Sequence, residues 1–180
     1  MPYVVGLFDS AHEADLAVRA LEDLDIAPSD ISIVTPQAQD IEAYIADGTD
    51  EGAEVGTGIG AAAGGLAGLL AGAATLAIPG LGPAIGVGWL IATGIGTVAG
   101  GAIGGIAGGI VGSMTGSGIA EEDAHVYAEA VKRGATLVMA RVDDEQHDDA
   151  EAAMVRSHRV DAEARRHEYV RTGWSGFSGR

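Results

Sequence analysis

The chain has 180 residues, room for one compact domain with an appendage, and its 26 acidic against 10 basic side chains give a net charge of −16. So acidic a balance repels polyanions and argues against nucleic acid as a partner. The absence of cysteine removes disulfides, thiolate nucleophiles and cysteine-based zinc sites.

The first residues, Met1-Pro2-Tyr3-Val4-Val5, have no basic stretch followed by an apolar run and a small-residue cleavage site, so they do not read as a secretory signal, and the first domain is expected in the cytoplasm. Tyr3 to Phe8 is short and β-rich. Ser10 and Glu13 then stand at capping-box spacing, and Ala14, Ala17, Val18, Leu21 and Leu24 recur at helical intervals. After Pro28-Ser29-Asp30 a second strand is predicted over Ile31 to Thr35, which completes a strand-helix-strand unit. An acidic stretch from Gln37 to Glu54 follows, and residues 1–54 together hold 13 acids and one base, Arg19.

From Val55 to Ala120 there is no charged side chain and no histidine. Gly56, Gly60, Gly64, Gly68 and Gly72 stand four apart, as do Gly96, Gly100, Gly104, Gly108, Gly112 and Gly116. Gly101, Gly105 and Gly109 double the second series. In water each interior glycine costs a helix about 1 kcal/mol relative to alanine. In hydrocarbon an unfolded backbone would cost more, and small residues at every fourth position let two helices approach closely. The pattern therefore predicts a glycine-zipper hairpin over residues 55–118, with helices Thr57–Ile78 and Ala84–Gly112 of about 33 Å and about 43 Å against a hydrocarbon core of about 30 Å. Pro79, Gly80, Gly82 and Pro83 would form the turn, and Trp89 an anchor at the far interface. Two spans return both ends to one side, which places the hairpin in the bacterial inner membrane with the flanking domain on the cytoplasmic face. The alternative is an assembly in water whose hairpins pack on one another.

Residues 119–165 are expected to supply the other half of the interrupted domain. Glu121-Glu122-Asp123 open a helix that Lys132-Arg133-Gly134 close, each charge at the end the helix dipole favours. A third strand is predicted over Ala135 to Val142, a helix over Asp143 to Ser157 with Ala150, Ala153 and Met154 inward, and a short strand near Arg159–Ala164. Two strand-helix-strand units with a four-stranded antiparallel sheet describe an α+β, ferredoxin-like domain. Residues 166–180 read as a flexible tail, and the arginines near the end of the chain as a solvated face paired with the acidic N-terminal part. On this reading, excising residues 55–118 should leave the flanks folded together.

Val4-Val5-Gly6-Leu7-Phe8-Asp9 with Glu13-Ala14, then Ile31-Ser32-Ile33-Val34, the Ile78-Pro79-Gly80-Leu81-Gly82-Pro83 turn, and Gly118-Ile119-Ala120-Glu121-Glu122 through Tyr127 to Gly134-Ala135-Thr136-Leu137-Val138 occur in a characteristic order. In that order the chain resembles the bacterial general-stress proteins, described as heat-induced or low-temperature-induced with a glycine-zipper insert. The resemblance covers nearly all of residues 3–142. It implies a stress-response setting and membrane association, and it carries over no catalytic residues.

No catalytic, cofactor or metal site is predicted. His12, His125, His147, His158 and His167 fall on separate elements without metal-ligand spacing, and Ser10 has no G-x-S-x-G context. Gly58-Ile-Gly60-Ala-Ala-Ala63 and Gly94-Ile-Gly96-Thr-Val-Ala99 match a relaxed dinucleotide fingerprint, but neither follows a strand or precedes an acidic ribose partner. Asp143, Asp144, Asp148 and Asp149 are ordinary charge at a helix start. The expected function is a structural or envelope-protective one without catalysis, with the chain itself and lipid as partners. A homo-oligomeric, possibly ring-shaped pore and a ligand-sensing module are the alternatives.

Overall fold

The structure is a computed structural model that describes residues 2–36, 74–78, 82–87 and 105–176. β1 (Tyr3–Phe8) pairs antiparallel with β5 (Thr136–Arg141), so that Val5 faces Met139 and Leu7 faces Leu137. The other side of β5 pairs antiparallel with β2 (Ile31–Thr35). β1 and β2 therefore run the same way with β5 between them, joined by α1 (Ala11–Glu22). Residues from the two ends of the sequence thus share one sheet, as a single interrupted domain requires.

The predicted cap of α1 is present, with the Ser10 side chain accepting from the Glu13 amide at 3.2 Å. Ala14, Ala17, Val18 and Leu21 are buried against the sheet. α4 (His147–Arg156) lies beside α1 on the same face and contributes Ala150 and Met154 to a core with Val4, Phe8, Ile31, Ile33, Val138 and Ala140. Alternation along the strands sends the next residue of each to the opposite face. There α2 (Gly105–Gly116) and α3 (Glu121–Lys132) cover Val34, Leu137 and Met139 with Ile110, Met114, Ala124, Ala128 and Val131. Both faces are covered, so β2 is buried throughout its length.

β3 (Ala74–Ile78) and β4 (Gly82–Val87) form a hairpin that extends the sheet, with β4 paired to β2 and the order β1-β5-β2-β4-β3. Here the structure corrects the sequence reading: residues 74–78 and 84–87, expected in two helices, are strands, and Gly82 and Pro83, expected in the turn between those helices, belong to β4. The free edge of β2 supplies backbone partners, and Thr75, Ile78, Ile85 and Val87 are β-branched. Pro83 lies beyond the part of β4 that pairs with β2, where its missing N–H removes no bond to that strand. Of the second predicted helix, the described part is Gly105–Gly116, 12 residues or about 18 Å. Among the described residues no helix is long and apolar enough to cross a membrane. The transmembrane glycine-zipper hairpin and the inner-membrane placement are corrected accordingly.

A second correction concerns the end of the chain. The strand expected near Arg159–Ala164 is reduced to one ladder-like bond, Val160 N to Leu7 O at 2.8 Å. Asp161 then caps α5 (Ala162–Arg171), its side chain accepting from the Ala164 amide at 2.7 Å. An N-cap followed by Ala-Glu-Ala-Arg-Arg favours helix over strand, so residues 166–171 are helical where a flexible tail was expected. Among the described residues the result is a mixed α/β fold with a small antiparallel sheet and five α-helices.

Candidate functional site: the outer face of α2 and a polar cleft under α5

The residues predicted to mediate helix packing divide into two groups. Gly56, Gly60, Gly64, Gly68, Gly72, Gly96, Gly100, Gly101 and Gly104 lie outside the described residues, as do Pro79, Gly80 and Trp89. Gly105, Gly108, Gly109 and Gly112 are on α2. That helix turns Ile110 and Met114 to the sheet, both fully buried. A Cβ built at Gly108, Gly112 or Gly116 would meet nothing within 4 Å among the described residues. Ile110 and Met114 thus face the core, and among the described residues nothing stands over these three glycines. At its end the helix stops on Gly118, whose φ of 87° suits glycine, while the Ile119 amide returns to Met114 O at 3.0 Å.

A cleft of about 230 Å³ lies between the end of α3, the end of β1 and α5. It is lined by Asp9, Ala130, Arg133, Gly134, Ala135, Arg165, Glu168 and Tyr169. Arg133 donates from Nε to Glu129 Oε1 at 2.7 Å, and its guanidinium lies 4.2 Å above the centre of the Tyr169 ring. Arg165 donates from Nη2 to Asp9 Oδ2 at 2.5 Å, with Glu168 at 3.6 Å from Nη1. Burial opposes the Arg165 charge, but the hydrogen bond and field of Asp9 prevail and raise its pKa. Burial likewise raises the Tyr169 phenol against the opposing pull of Arg165 and Arg133. The Tyr169 phenol therefore remains neutral and the Arg165 guanidinium charged. Each cation already has a carboxylate, and the Arg165–Asp9 pair and the Arg133–Tyr169 contact hold α5 in place. Among the described residues no group of three or more His, Asp or Glu is placed to hold a metal ion.

No family model, curated protein or solved structure matches the chain.

This seam was not legible in the sequence. Lys132 and Arg133 read as charges at a helix end, and Trp174 falls within the expected flexible tail. In the fold Trp174 packs edge-on against Tyr169, their centroids 6.0 Å apart at 74°. The available signal was the spacing of Tyr169 and Trp174 after a capping Asp161. The expectation that the terminal arginines pair with the acidic N-terminal part holds for Arg165 with Asp9, whereas Arg166 pairs with Glu122 of α3.

A second tyrosine provides a prediction. Tyr127 of α3 is partly buried, and burial, reinforced by Asp123, pushes its pKa from 10.0 up to about 12. A raised folded-state value means that the native chain keeps a proton the unfolded chain has lost. The contribution is intact below pH about 10 and is lost as the pH rises to about 12, a fall of about 3 kcal/mol. Urea unfolding across this range should show the fall in the parent chain and a smaller one in Tyr127→Phe. An equal fall in both would place the proton elsewhere.

Proposed function

We propose that this chain is a non-catalytic, self-assembling structural protein whose copies meet through the outer face of α2. The open environment of Gly108, Gly112 and Gly116 is the observation that carries this reading. Alanine at any of the three would favour the helix by about 1 kcal/mol, and nothing among the described residues obstructs it. A bare backbone becomes useful when a second backbone packs against it at a distance that a methyl group would prevent. The contact proposed here is made by a short helix docked on its own sheet.

We read the unit β1-β5-β2, with α1 and α4 on one face, as a ferredoxin-like core. Its fourth strand has shrunk to the Val160 bond on the free edge of β1. The stress-response setting rests on the sequence resemblance alone. The saturated arginines of the cleft favour a structural role over ligand sensing.

Sedimentation and urea unfolding of the triple variant Gly108→Ala/Gly112→Ala/Gly116→Ala test the proposal. The parent chain should sediment as an oligomer. The variant should sediment as a smaller species, and each protomer should be more stable by about 1–3 kcal/mol in total. A monomeric parent, or a variant of unchanged size, contradicts the proposal. Unchanged size with lost stability would assign the glycine face to a contact within the chain.

A further inference from the structure

Among the described residues β1 is an edge strand, with β5 on one side only. In an antiparallel pair alternate residues turn their N–H and C=O away from the partner, and an open edge of that kind is a template for a foreign strand. Here the segment Arg159–Trp174 covers it. The Leu7 carbonyl accepts from the Val160 amide at 2.8 Å and the Val5 carbonyl from Arg159 Nη1 at 3.3 Å.

The cover is fastened in an unusual proportion. Of the ten residues in α5 only Tyr169 is buried, in a small cluster with Leu7, Val126, Ala130 and Ala135. Val160 and Trp174 pack against that cluster, and Arg133 lies over the Tyr169 ring and reaches Thr172 Oγ1 at 3.4 Å. The ion pairs of the segment are Arg159 with Glu151 at 2.7 Å, Arg165 with Asp9 at 2.5 Å and Arg166 with Glu122 at 2.9 Å. Their carboxylates are 41%, 57% and 72% exposed, so dissolved ions reach all three. The interior of the sheet has no such dependence, because β5 is held by backbone bonds on both sides and by two apolar faces.

We propose that Arg159–Trp174 is an electrostatic clasp, closed over the β1 edge at low ionic strength and released at high ionic strength while the sheet stays folded. The sign of the salt effect separates this device from general loosening. A chain of net charge −16 repels itself, so salt relieves that repulsion and firms the sheet. The same salt weakens the three arginine attachments. Clasp and sheet should respond in opposite directions.

Amide hydrogen exchange of the full chain, measured by NMR at about 0.05 M and about 1 M sodium chloride, reads both at once. The Val160 amide should exchange about tenfold faster at the higher salt relative to Val138 of β5, whose own protection should hold or increase. The double variant Arg165→Gln/Arg166→Gln should expose Val160 already at low salt and flatten the response. Val160 protection that ignores salt in the parent, or that rises and falls together with Val138, would overturn the proposal.

Discussion

Phe8→Ala is expected to lower folding stability by about 3–5 kcal/mol, measured by urea unfolding, one of the two largest effects of any change considered. Phe8 ends β1, is fully buried, and belongs to the core that α1 and α4 close. Its ring lies over Gly6, where an added Cβ would come within 2.6 Å of Phe8 Cε2 and 2.8 Å of Met154 Sδ. The glycine is thus required by a neighbour's ring. Gly6→Ala alone should cost about 1–3 kcal/mol through overpacking. Once the ring is removed the Met154 thioether is the close neighbour left, and this flexible side chain can turn into the space the ring vacates, so Gly6→Ala/Phe8→Ala should lose less than the two single changes together. Additivity to within about 0.5 kcal/mol would mean that the ring does not rest on Gly6.

Excision of residues 55–118, with a short Gly/Ser linker joining the flanks, is expected to abolish cooperative unfolding at 25 °C. The sequence alone suggested the reverse, because an uncharged insert looks separable from a charged domain. In the fold this cut removes α2 and the β3–β4 hairpin. Val34, Leu137 and Met139 lose Ile110 and Met114, and β2 loses its partner β4. Burial of Ile110 and Met114 contributes about 1.5–3 kcal/mol each, and newly wetted sheet surface adds to the loss. Domains of this kind have about 5–15 kcal/mol in total. The truncated chain should therefore bind a hydrophobic dye and melt without a sharp transition. A sharp melt at the parent temperature would show that α2 and the hairpin are dispensable.

Much of the α/β part was legible because its signals are local. Ser10 with Glu13 marked the start of α1, the spacing of Ala14, Ala17, Val18 and Leu21 marked its buried face, and Gly134 marked the end of α3 with the positive φ that glycine permits. The uncharged stretch misled for a physical reason. Absence of charge tells of burial and not of what buries it. Val34, Leu137 and Met139 need an apolar cover as much as a bilayer needs an apolar span, and Ile110 and Met114 supply that cover. Likewise Ala74–Ile78 and Gly82–Val87 have no strong period, so the free edge of β2 decides their conformation, a long-range effect that no local window contains. The polar seam depended on contacts across the chain, Asp9 with Arg165 and Arg133 with Tyr169, and neither pair is visible from spacing.

The uncharged region ends in a helix docked on the sheet, with Ile110 and Met114 inward and, among the described residues, nothing over Gly108, Gly112 and Gly116. The chain has four methionines, so methyl labelling yields a spectrum simple enough to assign by substitution. Met114 of α2 and Met139 of β5 share one buried cluster. In buffer without detergent, a nuclear Overhauser contact between their methyl groups is the predicted result. Absence of that contact, with Met139 still buried in a folded sheet, would place α2 elsewhere and contradict the account.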